Sequence, residues 1–409
     1  MKKIVIIGNN IPEPSSTAAG GRMMQLISIF QKMRMQVIFC CATMPGERSV
    51  DLENLGVAFQ HIELNKDSFN QWIITTLPDF VLYDRFYIEE QYGWRVAETC
   101  PQARTILDTE DLHFLRKARQ RALKEKIDFD PGFFNHPGTY REIASIKRCD
   151  LSLIISSYEM NLLKNTFQIE PQKLFYIPLL VDSNFKVSKP NFSDTRDFFH
   201  IGNFMHAPNE DAVWQLKKHI WPKIHKQLPN ANLHIYGAYP KPKHLNWHNE
   251  KEGFLVHGAV EEISEAFDHK RILLTPLRFG AGLKGKIIDA MQFGVPVVTT
   301  NIGAEGIAES DSFNGFIAEA DNDDFTKNAI RLYTQAELWE QMQKNGFELV
   351  QECFEESAFA KALTKRISKI MEEPRPQITF NDQMLSYHSS QHLKFKGKWI
   401  AIKESLKCP

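Results

Sequence analysis

The 409-residue sequence lacks long apolar runs, paired cysteines and an excess of either charge. No stretch approaches the ~20 apolar residues of a membrane-spanning helix, and the N-terminal run from Ile4 to Ile7 is too short for the core of a signal peptide. Lysines and arginines number 49 against 50 acidic residues, so the net charge of −1 gives no reason to expect nucleic acid as a partner. The six cysteines show no C-x-x-C spacing. We therefore expect reduced thiols and a cytoplasmic protein.

The sequence does contain short apolar segments that alternate with longer amphipathic segments along the whole chain. The chain is too long for one ordinary core, so two domains are expected. Alternating strands and helices predict a parallel, doubly wound sheet. The strands predicted in the first half are Lys3–Ile7, Gln36–Cys41, Val57–Ile62, Phe80–Tyr83, Thr105–Asp108, Leu151–Ser156 and Leu174–Ile177.

The polar segment 182–197 interrupts this alternation of apolar and amphipathic segments, which then resumes. A helix is predicted over 209–228, with a possible kink at Pro222, and a long helical region over 323–372. We therefore predict an α/β protein with two Rossmann-like domains: 1–185, a linker at 186–197, 198–372, and a tail at 373–409 that packs back on the first domain. The strands predicted in the second half are 198–204, 233–238, 254–258, 271–277 and 295–300.

The tail contains "LKFKGKWIAIK", residues 393–403, in which lysines alternate with aromatic and apolar residues. This alternation is typical of a solvated edge strand whose lysines prevent aggregation. As a second alternative, basic and aromatic residues together also suit the surface of an anionic membrane, which makes residues 394–403 a candidate for peripheral membrane contact.

The segment "RFGAGLKGKIIDAMQFGVPVVTT", residues 278–300, carries the G-x-G-x-x-G pattern at Gly280, Gly282 and Gly285. Glycines let backbone N–H groups approach an anion closely, and the following helix adds its N-terminal dipole. A dinucleotide and a nucleotide sugar both carry a diphosphate. The glycines alone therefore leave both ligands open.

The charges around this loop favour a diphosphate that leaves during a reaction. Arg278, Lys284 and Lys286 surround the glycines, and such cations stabilise negative charge that grows in a transition state. In a dinucleotide fold the turn follows the first strand, whereas this one lies late in its domain. An acid is expected ~20 residues further on in that fold, but Glu305 lies past the end of its strand. Asp289 on the following helix is a candidate to bind the ribose.

Four segments together resemble the GT-B-fold retaining glycosyltransferases of family four. The similarity covers residues 1–370 and is most specific in the donor-site segment. The segments are "PLRFGAGLKGKIIDAMQFGVPVVTTNIGAEGI", "HIGNFMHAPNEDAVWQLKKHIWPKIHKQLPNANLHIYG", "IPEPSSTAAGGRMMQLISIF" and "LDTEDLHFLR".

The resemblance implies transfer of a sugar from a UDP- or GDP-linked donor to an acceptor hydroxyl, with retention at the anomeric carbon. The donor would bind the C-terminal domain and the acceptor the N-terminal one, without a metal or a cofactor. The acceptor would be a glycan, a lipid-linked molecule or a protein, in cell-surface glycan or polysaccharide biosynthesis.

By motif match, Arg278 and Lys284 would hold the diphosphate together with Gly280 and Gly282, and Asp289 would hold the ribose. Gly20 and Gly21 would line the cleft near the phosphates. His113 would point at the donor from the N-terminal domain. Further contacts to donor or acceptor are expected from three residues: Asp111, His206 and Glu305.

The sequence departs from the family pattern in two places. Ala281 stands where many members carry a glutamate that contacts the donor sugar, and the arginine expected near Gly202 is absent, with His206 as a possible substitute. The literal D-x-D at 128–130 lies in a charged loop, and we expect no metal there. Two alternatives remain: an NAD(P)-dependent oxidoreductase that uses the 280–285 turn, and an inactive GT-B protein that only binds nucleotide sugars.

Overall fold

The computed structural model describes residues 1–182, 189–307, 313–375 and 379–406. Its N-terminal sheet is parallel, with strand order β3-β2-β1-β4-β5-β6-β7. These strands are β1 (Lys3–Ile7), β2 (Gln36–Cys41), β3 (Ala58–His61), β4 (Phe80–Asp84), β5 (Arg104–Asp108), β6 (Leu151–Ile154) and β7 (Leu174–Tyr176). The central strands are apolar and buried on both faces, as parallel sheets require.

The C-terminal sheet is also parallel, and its order β10-β9-β8-β11-β12-β13 repeats that of the first six N-terminal strands. Its strands are β8 (Arg196–Ile201), β9 (Leu233–Tyr236), β10 (Phe254–Gly258), β11 (Lys270–Thr275), β12 (Val297–Thr299) and β13 (Gly315–Ile317). The predicted fold of two Rossmann-like domains is confirmed. The sequence patterns did not reveal β13, which is three residues long and begins with glycine.

Helices cover both faces of each sheet and form two hydrophobic clusters per domain. In the N-terminal domain these helices are α1 (Ala18–Lys32), α2 (Ser68–Thr76), α3 (Phe86–Thr99), α4 (His113–Glu125), α5 (Pro137–Arg148) and α6 (Ser157–Asn165). After β8 follow α7 (Ala207–Gln215), α8 (Trp221–Gln227), α9 (Pro242–Leu245), α10 (Ile263–Phe267), α11 (Gly285–Gln292), α12 (Asn301–Ala304), α13 (Asp323–Thr334), α14 (Ala336–Phe354), α15 (Glu356–Glu372) and α16 (Phe380–Ser405).

The predicted helix 209–228 consists of α7 and α8 joined by a π-helical turn, Leu216–Ile220. Pro222 follows directly and has no N–H to donate to the preceding turn. The wider turn accommodates the proline ring, so the helix continues without a break.

The end of the chain returns to the N-terminal domain. The N–H of Val181 donates to Phe354 (2.8 Å) and the N–H of Glu356 donates to Val181 (2.9 Å), so two chain segments cross between the domains side by side. Beyond this crossing, Leu363 and Ile367 of α15 join one hydrophobic cluster of the N-terminal domain. The predicted domain boundary at residue 372 does not coincide with this packing, because α15 already lies on the other domain.

The predicted linker 186–197 lies partly outside the described residues. Where the chain is described again, Phe192–Asp194 forms one turn of 3-10 helix and β8 begins at Arg196.

The prediction of an edge strand in the tail is wrong, because residues 380–405 form the 26-residue helix α16. The Thr379 hydroxyl caps it by accepting a hydrogen bond from the N–H of Asp382. Its inner face packs on α3 and α5. The alternation of lysines over 394–398 was too short a window to reveal the helical spacing of the whole segment.

None of the five cysteines within the described ranges forms a disulfide. In those ranges no helix combines the length and the apolar character needed to cross a bilayer.

Candidate active site

A cleft of about 1290 Å³ lies between the two domains. The carboxyl ends of the first and fourth strands of both sheets open into it, which is where parallel α/β sheets bind ligands. Its walls are formed by segments 9–25, 84–87 and 110–116 of the N-terminal domain and by 201–209, 237–239 and 277–292 of the C-terminal domain.

The glycine loop is held between the domains. Gly282 has a φ of +65°, and a Cβ at this position would lie 2.9 Å from the Cβ of Asp111, so only glycine fits. Its N–H donates to Oε1 of Glu159 on α6, at 2.8 Å. Gly280 and Gly285 also line the cleft, and Gly285 is the first residue of α11. The free N–H groups of this helix therefore begin at the cleft wall.

Lys286, the second residue of α11, is one of the cations that line the cleft. Its Nζ donates to Oδ1 of Asn209 at 2.8 Å, and among the described residues no carboxylate forms an ion pair with it. The Lys286 side chain is half-buried in the cleft wall. The resulting loss of solvation lowers the pKa of its ammonium group to about 7. Gly202 leaves room for it, because a Cβ there would lie 2.7 Å from the Lys286 Nζ.

Lys284 lies on the other side of the loop, at the N-terminal end of α11. It is buried, and its Nζ donates to the carbonyls of Ala281 (3.2 Å) and Gly282 (2.7 Å). Burial lowers its pKa, and the charge of Glu305 acts against that shift. In this geometry Lys284 fixes the shape of the glycine loop and adds positive charge behind it.

Asp289 lies one turn after Lys286 and also lines the cleft, as the ribose assignment requires. Burial raises the pKa of its carboxyl to about 7, and the charge of Lys286 acts against that shift. The two side chains form a pair of opposite charge on one face of α11.

Arg278 does not line the cleft. Its Nε donates to Oδ2 of Asp211 on α7 at 2.9 Å, and a second bond from its guanidinium completes a bidentate ion pair. Asp211 therefore holds the guanidinium outside the cleft lining, and a contact between Arg278 and a diphosphate stays a prediction.

Glu305 is likewise outside the cleft. It forms a bidentate ion pair with Arg119 of α4, with 3.0 Å between Nη1 and Oε1, and both side chains are buried. Arg119 also donates to the carbonyl of Gly280 at 2.9 Å. These contacts tie the glycine loop to the N-terminal domain, and a contact between Glu305 and the donor stays a prediction.

The N-terminal wall includes Gly20 and Gly21 in the first turn of α1. The Thr17 hydroxyl accepts the Gly20 N–H at 2.9 Å, and a Cβ on Gly20 would lie 2.5 Å from the backbone of Glu13. A Cβ on Gly21 would meet nothing within 4 Å, so its backbone is open to the cleft.

Three more predicted residues lie on this side or at the rim. Asp111 forms a bidentate ion pair with Arg116, which holds the pKa of its carboxyl well below its usual value despite burial. The Nε2 of His113 lies 3.3 Å from Oδ1 of Asp111, and burial lowers the pKa of the imidazole to about 3. His113 is therefore neutral at pH 7. His206, an exposed residue at the start of α7, lines the opposite rim.

Sequence reasoning missed an acidic cluster on the N-terminal wall. Asp84 ends β4 and Glu110 follows β5, and both line the cleft. Oδ1 of Asp84 and Oε1 of Glu110 are buried without a hydrogen-bond partner among the described residues. Burial, followed by the nearby charge of Asp108, raises the pKa of Glu110 to about 8. Charged residues directly after two neighbouring strands were the available signal.

Strained backbone accompanies this cluster. Arg85 has a backbone φ of +75° and Glu110 a φ of +58°, values that residues other than glycine rarely adopt. Arg85 donates to Oδ2 of Asp84 at 3.2 Å. Such conformations persist where the surrounding structure enforces them, and they are frequent at functional sites.

Ala281 packs against the hydrophobic core of the N-terminal domain. A glutamate at this position would place a carboxylate against apolar side chains, which is costly. The alanine at position 281 thus occurs in a glycine loop that packs against the N-terminal domain.

The sequence D-F-D at 128–130 lies outside the cleft lining, and the Asp130 carboxylate accepts the N–H of Gly132 at 2.6 Å. Within the described parts of the chain, no group of three or more histidine, cysteine, aspartate or glutamate residues is arranged to hold a metal ion.

Comparison with known proteins gives similarities to glycosyltransferases. Residues 195–335 match the family described as glycosyl transferases group 1. An uncharacterized 44.6 kDa protein in the cps region of Klebsiella pneumoniae is 27% identical over 181 residues, which are 42% of this chain and 45% of that protein. The match therefore spans less than half the length of this curated relative.

Solved structures resemble nearly the whole chain. TarM of S. aureus, in complex with fondaparinux, alpha-GlcNAc-glycerol and UDP, gives a TM-score of 0.69 at 11% identity, covering 91% of this chain and 100% of that one. HepE of Anabaena, in complex with UDP, gives 0.67 at 13% identity, covering 90% and 100%. Sucrose-phosphate synthase of Thermosynechococcus elongatus gives 0.65 at 12% identity, covering 91% and 100%.

Because the sequence identities are only 11–13%, the similarity to solved structures establishes the fold alone. The family match comes from the sequence itself and covers the domain that carries the glycine loop. The chain has the two-domain GT-B fold of these structures, and its residues 195–335 are similar to the glycosyl transferases group 1.

Proposed function

We propose that this protein is a retaining, metal-independent glycosyltransferase of cell-surface polysaccharide biosynthesis, which transfers a sugar from a nucleoside-diphosphate donor to an acceptor hydroxyl. The relative in a cps region supports the polysaccharide setting. Neighbours crystallised with UDP or UDP-glucose support a nucleotide-sugar donor.

The observation that carries this proposal is the position of Lys286. It is a cation on the cleft wall in the first turn of α11, bound to a neutral amide rather than to a carboxylate. A diphosphate placed there gains the lysine charge, the helix N–H groups and the glycine-loop amides together. Asp289 on the same helix face is positioned to accept hydrogen bonds from ribose hydroxyls.

In this mechanism the donor diphosphate leaves from the face that the acceptor approaches. Negative charge grows on it as the glycosidic bond breaks, and Lys286, the helix end and the buried charge of Lys284 stabilise that charge. The leaving phosphate oxygen can accept the proton of the acceptor hydroxyl, so no separate protein base is needed. The neutral imidazole of His113 offers a hydrogen bond to the donor sugar from the opposite wall.

The acceptor would bind the N-terminal wall, where Asp84 and Glu110 present oxygens without hydrogen-bond partners. Carboxyl oxygens accept hydrogen bonds from sugar hydroxyls. The guanidinium groups of Arg85 and Arg116 on this wall are held by Asp84 and Asp111, whereas Lys286 binds a neutral amide, so we place the diphosphate on the C-terminal wall.

The oxidoreductase alternative has less support. The glycine turn follows β11, the fourth strand of its domain, whereas a dinucleotide turn follows the first. The acid at the expected spacing, Glu305, is occupied by Arg119. The alternative of an inactive binding protein rests on Ala281, whose side chain packs on the other domain.

A thermal-shift panel followed by a transfer assay tests the proposal. A ligand that binds the native state raises its apparent stability, so UDP or GDP and one of their sugar conjugates should raise the Tm. NADH should not. The stabilising donor is then incubated with glycan and lipid-linked acceptors in the presence of EDTA, and the anomeric configuration of the product is read by NMR.

Each outcome separates the candidates. Transfer with retention in EDTA supports the proposal, and inversion or a strict metal requirement contradicts its mechanism. Stabilisation by NADH alone favours the oxidoreductase. Binding of a nucleotide sugar with neither transfer nor hydrolysis favours the inactive binding protein.

A further inference from the structure

The helix α16 lies on the surface of the N-terminal domain and has two different faces. Its length of 26 residues corresponds to ~39 Å at 1.5 Å per residue. The inner face packs on α3 and α5, and two ion pairs anchor it: Lys147 to Asp382 at 2.8 Å, and Lys394 to Glu98. The helix is therefore fixed to the domain and presents one side outward.

The outward side carries an apolar stripe along the whole helix. Its apolar residues are spaced three or four positions apart, except that the polar Gln391 takes one place in the row, and each apolar side chain is at least 48% exposed. Single exposed apolar residues are ordinary, but a continuous row of this length marks an interaction surface. The stripe consists of Phe380, Met384, Tyr387, Phe395, Trp399, Ile402 and Leu406.

Positive charge flanks the C-terminal half of this stripe. Lys396, Lys398 and Lys403 are exposed and form no ion pair with any described residue, and Lys403 lies 5.0 Å from the centre of the Trp399 ring. Glu404 is the one acidic residue over 394–406. Lysine stems that cover apolar surface while their ammonium groups reach outward are typical of membrane-interface helices.

A neighbouring loop lies beside this half of α16. A Cβ on the buried Gly397 would lie 3.6 Å from the Asn65 side chain, so the loop at 64–66 adjoins the inner side of the helix. Leu64 is 47% exposed, and Lys66 is exposed as well. A second segment of the chain therefore adds an apolar and a basic side chain close to α16.

We propose that this surface docks on an anionic lipid bilayer, with α16 lying in the plane of the interface. Apolar side chains would enter the boundary between headgroups and acyl chains, and the lysines would meet anionic headgroups. A second copy of the chain fits less well, because two such stripes would bring unpaired lysines against each other. The inference does not depend on the transfer chemistry.

Vesicle flotation with the full chain tests this inference. We expect the protein to float with vesicles of phosphatidylcholine plus phosphatidylglycerol, to bind vesicles of phosphatidylcholine alone at least tenfold more weakly, and to lose binding as the salt concentration rises. Size-exclusion chromatography with light scattering, without lipid, reports the oligomeric state.

Paired variants separate the two contributions. F395S with W399S should lower vesicle binding at least tenfold, and K396E with K398E should abolish the preference for the anionic lipid. The matched controls are I127S, an exposed apolar residue elsewhere on the N-terminal domain, and K361E, an exposed lysine on α15. The controls should bind like the wild type, and all variants should keep the wild-type Tm.

Three results would overturn the inference: no flotation with the anionic vesicles, flotation of the stripe variants equal to that of the wild type, or a lipid-free dimer that F395S with W399S dissociates while vesicles bind neither form. A Tm increase with nucleoside diphosphate reports the cleft separately. Failure of membrane binding and failure of the proposed function are therefore distinguishable.

Discussion

The two domains share a strand order but present different chemical groups to the same cleft. On the N-terminal wall, Asp84 and Glu110 lie at the ends of the fourth and fifth strands. On the C-terminal wall, Lys284 and Lys286 lie after the fourth. The fold determines that both groups meet at the carboxyl ends of the strands, and the loop sequences determine what each wall binds.

The turns after the first strands show the same division. Gly8 follows β1 and Gly202 follows β8, and neither position has room for a Cβ. At Gly8 the obstacle is the ring of Phe39, at 2.2 Å, whereas at Gly202 it includes the Nζ of Lys286, at 2.7 Å. The same turn thus serves core packing in one domain and makes room for a lysine of the cleft lining in the other.

Removal of the C-terminal cation should have the largest effect. K286A should lower the rate of transfer about 10²–10³-fold, the range measured when one group that stabilises transition-state charge is lost. K361A, an exposed lysine on α15, is the matched control and should transfer at the wild-type rate. Steady-state kinetics and the Tm are measured for both; near-normal transfer by K286A would remove the diphosphate assignment.

The variant K284A tests whether the second lysine, Lys284, contributes to transfer through its charge and its hydrogen bonds. We expect a loss of transfer by orders of magnitude with the fold intact, because this buried charge lies behind the diphosphate site and its Nζ holds two loop carbonyls. Transfer rate and circular dichroism are the readouts. Wild-type activity in this variant would mean that the loop needs neither its charge nor its hydrogen bonds.

The next pair of variants tests whether each wall binds one substrate. D289A should weaken UDP binding by about tenfold or more, since hydrogen bonds to a charged group are worth about 1.5–3 kcal/mol. E110A removes the hydrogen-bonding side chain, so it should raise the KM for the acceptor by several-fold and leave the Kd for UDP unchanged. Calorimetry and acceptor titrations give both values. If E110A weakened UDP binding instead, the assignment of one substrate to each wall would be wrong.

The pH dependence of nucleotide binding is the mildest test. Lys286 has a pKa of about 7 in the free protein, and a bound diphosphate favours its charged form. Binding therefore takes up a proton above pH 7, so the affinity for UDP should fall, by roughly tenfold, between pH 7 and pH 9. K286R keeps its charge over this range and should show a flatter profile. A flat wild-type profile would contradict the shifted pKa.

The positions of most strands and the location of the cleft followed from the sequence, because apolar runs and glycine turns are local signals. Which of the loop cations lines the cleft did not follow from it. Arg278 and Lys286 lie eight residues apart, and the structure separates them through Asp211 of α7, an acid that no local pattern connects with the loop. The ion pair of Glu305 could not be predicted for the same reason, because its partner Arg119 belongs to the other domain.

The tail shows a different limit. Lysine at every second position over 394–398 suggested a strand, yet the apolar residues over 380–406 recur at three or four. Polar and small residues on the inner face, such as Asp382 and Gly397, hid the helical pattern from a hydrophobicity argument. The helix became evident only from its contacts with α3 and α5.

The paired crossing at Val181 and Glu355 constrains how the cleft can open. One tether would let the domains swivel in any direction, whereas two segments hydrogen-bonded side by side bend together and resist torsion. The two domains would then rotate about a single hinge axis at this crossing. Such a rotation would open and close the cleft between the two walls along one direction.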